Sequence, residues 1–239
     1  MKIAERQRAC LQIIEKLPKQ YVLVGGYAVS AFESPRFSVD VDLVISEQDF
    51  KKLSDILENE GFSPVKEAEE FSSTYKGRFV RFQKMVESLP VSVDFLVGMI
   101  QSRQTDAAYS FHYIWKNSET RGVAGFGVSD SVKARVADRE MLMALKINSM
   151  RKADQRDIIA LCSGRVDTDK VVRHLTRAPI QKIQEHISRL LRFLYDKKSR
   201  DSLKGVFVFS DAVLDAMLNK ATKTLEEIRS KIGDAQMSK

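Results

Sequence analysis

The amino-acid sequence predicts an α+β protein in which a strand-rich first part is followed by a helical second part. Short β-branched and apolar runs, bounded by glycine or polar residues, recur up to about residue 130. After about residue 135, apolar residues recur at helical spacing almost throughout. A chain of 239 residues can form two modest domains, each with its own core. We therefore predict a first domain at residues 1–135 and a helical, basic C-terminal domain at residues 136–239.

The first elements alternate between helix and strand. Residues 2–17 have one apolar side and stop before Pro18, which predicts an amphipathic helix. A strand at 21–24, a helix near 26–33 and a strand at 39–45 are expected next. The apolar side of the first helix consists of Ile3, Cys10, Leu11, Ile14 and Leu17.

Ser46 is predicted to cap the next helix, which should end near Gly61 with four side chains turned inward. These side chains are Phe50, Leu53, Ile56 and Leu57. The elements expected from there to residue 129 are a strand at 62–65, a hairpin at 71–85 turning at Lys76-Gly77, a strand at 91–97, a helix near 105–110 and a strand pair at 112–128. In the second domain, long helices are predicted near 179–198 and 210–232, with one strand-like run at 206–209.

Composition indicates an ordinary soluble protein. Hydrophobic residues make up 44% and charged residues 30% of the chain, and no apolar run approaches the roughly 20 residues that cross a bilayer. The N-terminal segment is charged and amphipathic rather than signal-like. Two cysteines are too few for a disulfide framework, and three scattered histidines do not suggest a histidine metal site. We therefore expect a cytoplasmic protein with no membrane partner.

Charge is divided unevenly along the chain. Residues 1–129 contain 16 Lys and Arg against 17 Asp and Glu, whereas residues 130–239 contain 23 against 15. The second part thus has a net charge of +8 and the first of −1. This excess suggests a polyanionic partner, RNA before DNA. The alternative is a solvated basic surface without a recognition role.

Two carboxylates in one predicted strand are the strongest functional signal. Asp40 and Asp42 are two residues apart, so a strand directs both side chains to the same face. Two such carboxylates repel each other unless a cation lies between them. The cation that best fits is Mg²⁺ with a bound nucleotide, with Mn²⁺ as a substitute. Arg36 and Ser38 continue the same alternation and could contact phosphates.

A glycine pair precedes this strand. Gly25 and Gly26 directly follow the predicted strand at 21–24, where the helical pattern begins. A strand, a glycine turn and a helix N-terminus expose backbone N–H groups to an approaching anion. Most glycine pairs are simple turns, so the signal depends on the carboxylates downstream.

These residues resemble a known signature. Gly25-Gly26 followed by Arg36-x-Ser38-x-Asp40-x-Asp42 is similar to that of the polymerase-β-like nucleotidyltransferase superfamily, in the AbiEii branch of abortive-infection and toxin–antitoxin systems. The resemblance implies a small mixed β-sheet flanked by helices, followed by a helical domain. It also implies a third carboxylate on a neighbouring strand, for which Asp94 is the candidate. Because adjacent strands lie about 4.8 Å apart, Asp94 could close a cation site.

The resemblance extends with less specificity to two later positions. The family's lysine and aspartate fall on Lys146 and Asp157. Solvation is the ordinary state of a helical lysine. Asp154 could cap the helix that begins there, and Asp157 could serve only the positive helix end.

The resemblance implies an enzyme that moves an NMP from an NTP to a hydroxyl and releases pyrophosphate. RNA such as tRNA, or a protein, would be the acceptor, and an antitoxin would be a partner. One cation at Asp40 and Asp42, with a second shared with Asp94, is the expected arrangement; a single cation with Asp157 as base is the variant. Lys146 would neutralise transition-state charge. The alternatives are a small-molecule, antibiotic-type nucleotidyltransferase and a non-catalytic nucleotide- or RNA-binding module.

Overall fold

The computed structural model describes residues 2–32, 36–71, 76–205 and 210–237. Strands dominate the part before Asp138, and helices the part after it. The elements in chain order are α1 (Lys2–Lys16), β1 (Tyr21–Val24), α2 (Gly25–Ser30), β2 (Asp40–Ile45), α3 (Glu47–Asn59), β3 (Ser63–Phe71), β4 (Lys76–Val86), β5 (Leu89–Val97), β6 (Met99–Gln101), β7 (Ala108–Ser110), α4 (Phe111–Lys116), β8 (Ser118–Ala124), β9 (Ser131–Ala137), α5 (Arg139–Ser149), α6 (Lys152–Leu161), α7 (Thr168–Leu175), α8 (Ile180–Tyr195), α9 (Lys197–Lys204) and α10 (Asp211–Met237).

The main sheet is mixed and has the strand order β3-β4-β5-β2-β1-β9-β8. β2 runs parallel to β5, and β1 runs parallel to β9, while the other neighbours are antiparallel. β6 and β7 form a separate antiparallel pair. The central position of β2, between β1 and β5, brings the segment with Asp40 and Asp42 next to the strand that contains Asp94.

Alternation along the central strands separates an apolar face from a polar one. Val41, Leu43, Val93 and Phe95 share the face opposite to Asp42 and Asp94, and all four are buried. Phe50 of α3 packs edge-on against the ring of Phe95 at 6.2 Å. This apolar face anchors the sheet and leaves the carboxylates on the other face.

The chain divides into two compact units. Among the described residues, the first unit contains those up to Ala31, residues 36–101 and residues 108–138. The second contains Phe32, Ser102–Ala107 and the helical part from Arg139 onward. In the second unit, α5, α7, α8 and α10 pack together and bury their apolar sides. Within the described part of the chain, no helix is both long and apolar enough to span a bilayer.

The mixed α+β class, with flanking helices and a helical C-terminal part, is the fold that the sequence predicts. Several boundaries differ. α2 ends at Ser30, earlier than expected, and Ile3 is 55% exposed rather than on the buried side of α1. Phe50 and Ile56 of α3 are only half-buried. Ser46 does cap α3 and accepts a hydrogen bond from the Asp49 N–H.

The hairpin prediction placed its turn wrongly. Lys76 and Gly77 are inside β4, paired with Phe71 and Glu70. β4 continues to Val86 and joins β5 through Glu87 and Ser88, which both have positive φ (51° and 63°). Two such residues fit a type I′ turn, whose usual signal is Asn-Gly. Residues 74 and 75, which the predicted hairpin included, lie outside the described residues, as does the strand-like run at 206–209.

The segment at 104–129 also differs from its prediction. The helix expected at 105–110 is instead β7, and α4 follows it. β8 does occur within the predicted strand pair, but its partner is β9, beyond residue 128. Short amphipathic runs of this kind are ambiguous between helix and strand without tertiary contacts.

Candidate active site

The carboxylates of β2 and β5 are aligned across two parallel strands. Asp42 is the register partner of Asp94, and Asp40 is the partner of Ser92. Residues opposite one another in a sheet project to the same face, so the three aspartates share one surface. Asp40 is exposed, Asp42 half-buried and Asp94 buried. The burial gradient follows the sheet from its rim at Asp40 toward its centre.

Gly25 and Gly26 lie directly against this surface. Gly25 has φ +69°, a conformation that other residues rarely adopt, and a Cβ placed there would overlap the Asp42 carboxylate. A Cβ on Gly26 would come within 2.8 Å of the Ser38 Oγ and 2.9 Å of the Arg36 Nη2. The structure therefore brings together Gly25, Gly26, Arg36, Ser38, Asp40, Asp42 and Asp94 in the first unit.

Two hydrogen bonds with α2 hold the segment that leads into β2 in place. The Tyr27 hydroxyl donates to the Ser38 carbonyl at 2.9 Å, and the Arg36 N–H donates to the Ser30 Oγ at 3.2 Å. The Tyr27 side chain is buried, and burial raises the pKa of its hydroxyl, so it remains a donor at neutral pH. Arg36 and Ser38 are consequently held next to the glycine turn.

Arg81 completes the surface and was not anticipated from the sequence. It is the register partner of Asp94 on β4, and its Nε and Nη2 donate to the two Asp94 oxygens at 2.7 and 2.6 Å. These bonds, together with the negative charges of Asp94, Asp40 and Asp42, raise the pKa of Arg81. With the turn at Glu87–Ser88 known, counting equal numbers of residues back along β4 and forward along β5 places Arg81 opposite Asp94. The sequence analysis predicts no turn there.

The donors on this surface suit a hard divalent cation, although they do not form a ready three-carboxylate cage. Within the described residues, no group of three or more His, Cys, Asp and Glu side chains is arranged to hold a metal. Both oxygens of Asp94 are engaged by Arg81. Mg²⁺, however, usually binds one or two carboxylates and takes its remaining ligands from water and phosphates. Asp40 and Asp42 fit that requirement.

Lys146 and Asp157 meet in the second unit, with Asp154 as a third member. The Lys146 Nζ lies 2.7 Å from an Asp157 oxygen and 2.9 Å from an Asp154 oxygen. The Lys146 side chain is 6% exposed and both aspartates are 1% exposed. Lys146 is therefore buried and ion-paired rather than solvated. Asp157 forms a buried ion pair with Lys146 rather than serving only the positive end of its helix.

The prediction that Asp154 caps its helix is corrected in position. α6 begins at Lys152, so Asp154 is its third residue and accepts a hydrogen bond from the Arg151 N–H at 2.9 Å. Ser149 also donates to Asp154. Burial alone would raise the pKa of Asp154, but the Lys146 charge and the bonds from Arg151 and Ser149 outweigh it and lower the pKa to about 2.

Two solved structures match this chain over most of its length, at low sequence identity. One is a candidate nucleotidyltransferase from H. pylori, at 12% identity and TM-score 0.44, covering 96% of this chain and 94% of that one. Another is JHP933 from Helicobacter pylori, at 15% identity and TM-score 0.39, covering 98% of this chain and 93% of that one. No curated protein gives a significant match.

The profile of the family described as "Nucleotidyl transferase AbiEii toxin, Type IV TA system" matches residues 11–220. The chain belongs to this AbiEii family and is an enzyme of the nucleotidyltransferase class. Enzymes of this kind generally use an NTP and a divalent metal, and the family description implies a toxin–antitoxin setting.

Proposed function

We propose that the protein is a Mg²⁺-dependent toxin that transfers an NMP from an NTP to a hydroxyl of RNA, such as tRNA, or of a protein. The observation that carries this proposal is the packing of Gly25 against Asp42 and of Gly26 against Arg36 and Ser38. Only a residue without a side chain permits this approach, which brings backbone N–H groups that can bind phosphates next to carboxylates that can hold a metal.

Each part of this surface has a proposed role. Gly25 and Gly26 present backbone to the triphosphate, while Arg36 and Ser38 contact its oxygens. Asp40 and Asp42 hold the cation, and Asp94 lies beside Asp42 as a further carboxylate. A bound divalent cation would supply charge neutralisation for the triphosphate and its leaving pyrophosphate.

Lys146 and Asp157 remain candidates for the reaction because the family motif matches there. Their ion pair is buried, so contact of either group with substrate requires the pair to open. Asp157 would then accept or orient the acceptor hydroxyl, and Lys146 would balance developing negative charge. The net charge of +8 after residue 129 supports a polyanionic acceptor, and RNA is therefore preferred to protein.

The test is transfer of label from each α-labelled NTP, with Mg²⁺ and either total RNA or cell lysate. The wild type should label an RNA band, and the variant Asp40→Asn should lose at least about 100-fold of this rate because half of the carboxylate pair is gone. Asp55→Asn is the matched control, since Asp55 is an exposed aspartate on α3 that pairs with Lys51. Equal labelling by wild type and Asp40→Asn would remove Asp40 from the mechanism.

Toxicity provides a second, independent readout. Induced expression of the wild type should arrest growth, whereas Asp40→Asn should not, and co-expression of an antitoxin from the neighbouring reading frame should restore growth. Arrest by both forms alike would contradict a toxic activity based on nucleotidyl transfer.

A further inference from the structure

Arg81 and Asp94 form a two-bond ion pair on the surface that carries Asp40, Asp42 and Asp94. Two parallel hydrogen bonds, 2.7 and 2.6 Å long, join the guanidinium to both oxygens of Asp94. A bidentate pair of this type is among the stronger charge-assisted contacts in proteins. Asp94 is 5% exposed, whereas Arg81 is 36% exposed. The carboxylate is thus fixed by its burial, but the arginine reaches it from the solvent side.

This contact competes with metal binding at Asp94. It uses one lone pair on each Asp94 oxygen and places a positive charge against the carboxylate, so a cation would have to bind the remaining lone pairs against the repulsion of the guanidinium. Among the described residues, Asp40 and Asp42 are the other carboxylates on this surface, and Mg²⁺ held by one or two carboxylates usually takes further oxygens from substrate phosphates. In the described conformation the surface should therefore bind divalent metal weakly before a nucleotide arrives.

We propose that Arg81 is an exchangeable counter-ion that holds Asp94 out of the metal site until a metal–nucleotide complex displaces it. This inference rests on the proposed nucleotidyl transfer at the same surface and adds a gate to it. A triphosphate supplies a competing partner for the guanidinium, and the exposed Arg81 side chain has a flexible stem with which to move. The departure of Arg81 frees Asp94 to join Asp42, its register partner.

The first measurement is Mn²⁺ affinity of the nucleotide-free protein, by electron paramagnetic resonance of unbound Mn²⁺. Arg81→Ala should bind Mn²⁺ roughly tenfold or more tightly than the wild type, because it removes one positive charge and frees one carboxylate. Arg81→Gln, which keeps the length and polarity of the side chain, should show the same direction and serves if Arg81→Ala does not fold.

Arg78→Ala is the matched control. Arg78 belongs to the same strand and carries the same charge, but alternation places it on the opposite face, where it stacks on the Phe50 ring at 4.0 Å. It should leave Mn²⁺ affinity within about twofold of the wild type. An equal gain from Arg78→Ala would reduce the effect to net charge and overturn the proposal, as would an unchanged affinity in folded Arg81→Ala and Arg81→Gln.

A second measurement separates direct ligation from through-space charge. Eu³⁺ luminescence decay in H₂O and D₂O reports the number of water molecules on the bound ion. Arg81→Ala should retain about one to two fewer waters than the wild type, since Asp94 takes their place. A gain in affinity without loss of water would overturn the exchange at Asp94. These readouts need no nucleotide, so loss of the proposed transfer activity and loss of this gate are scored separately.

Discussion

Asp42 and Asp94 are register partners on adjacent parallel strands, and they form the middle of one row across the sheet. Arg81 on β4 pairs with Asp94, and Val24 on β1 pairs with Asp42. Gly25 follows Val24 immediately. The Arg81 guanidinium, the two carboxylates and the glycine turn are therefore consecutive along a line perpendicular to the strands. The candidate site is built from sheet register rather than from a single sequence segment.

Replacing Gly25 should damage both folding and nucleotide binding. In Gly25→Ala the new Cβ meets the Asp42 carboxylate while the backbone stays at φ +69°. We expect unfolding free energy to fall by roughly 1–3 kcal/mol and nucleotide affinity to fall with it. Urea unfolding and titration with a non-hydrolysable NTP measure the two effects. Gly122→Ala is the control, because nothing lies within 4 Å of its added Cβ; similar losses in both variants would contradict the close-approach argument.

The Tyr27 hydroxyl should help to position Ser38 at the candidate site. Tyr27→Phe removes the 2.9 Å hydrogen bond to the Ser38 carbonyl and leaves that half-buried acceptor without this donor. The expected cost is about 1 kcal/mol of unfolding free energy, with a several-fold weaker NTP affinity because Ser38 is less firmly held. Isothermal titration measures the affinity. Tyr195→Phe changes a 72% exposed tyrosine and should alter neither quantity. Unchanged affinity in Tyr27→Phe would show that Ser38 is positioned by other contacts.

The proximity of the glycine pair to Asp40 and Asp42 could be predicted from the sequence, since its signal is local. Asp40 and Asp42 share a strand, and the glycines precede them within the same segment. Arg81 could not be found this way, because its position depends on the pairing of β4 with β5 across a turn of Glu87 and Ser88, which is not one of the Asn-Gly, Asp-Gly or Gly-Gly pairs usual in such a turn. The helix predicted at 105–110 failed for a related reason: β7 there is stabilised by pairing with β6.

Lys146 should be a strong determinant of stability in the second unit. Lys146→Met leaves the buried Asp154 and Asp157 without their shared ammonium, which should lower the unfolding free energy by about 3–5 kcal/mol near pH 7. Lys182→Met is the control, because Lys182 pairs with Asp106 at the surface and should cost at most about 1 kcal/mol. Urea unfolding monitored by circular dichroism compares the two. Equal small losses would mean that the buried ion pair adds little to folding.

Acid sensitivity follows from the same cluster. Because the pKa of Asp154 is lowered to about 2, below its unfolded value of about 3.9, its contribution is complete above about pH 5 and is lost progressively as the pH falls toward about 2. This part of the acid unfolding should be reduced in Lys146→Met, since the ammonium is a main cause of the lowered pKa. A wild-type and variant pair with identical acid transitions, measured by circular dichroism from pH 6 downward, would contradict that assignment.

His174 should make the protein less stable in mildly acidic solution. Burial, with the nearby charges of Lys170 and Arg173, lowers its pKa to about 4, so the unfolded chain takes up a proton first as the pH falls below about 6.5. Stability should therefore decline between about pH 6.5 and pH 4, by up to about 1.4 kcal/mol per pH unit. Urea midpoints at about pH 7 and about pH 5 should differ less in His174→Leu than in the wild type. His112→Leu, at an exposed histidine, should keep the wild-type difference.

The two-residue connection between β4 and β5 has a consequence for how such a site could change during evolution. Side chains swap sides of a sheet with every step along a strand. Inserting or deleting one amino acid between Val86 and Leu89 would turn Arg81 away from Asp94 and present Val80 or Phe82 in its stead. The length of the exposed Glu87–Ser88 connection thus determines whether Arg81 or an apolar side chain faces Asp94, although the connection lies several residues away from both.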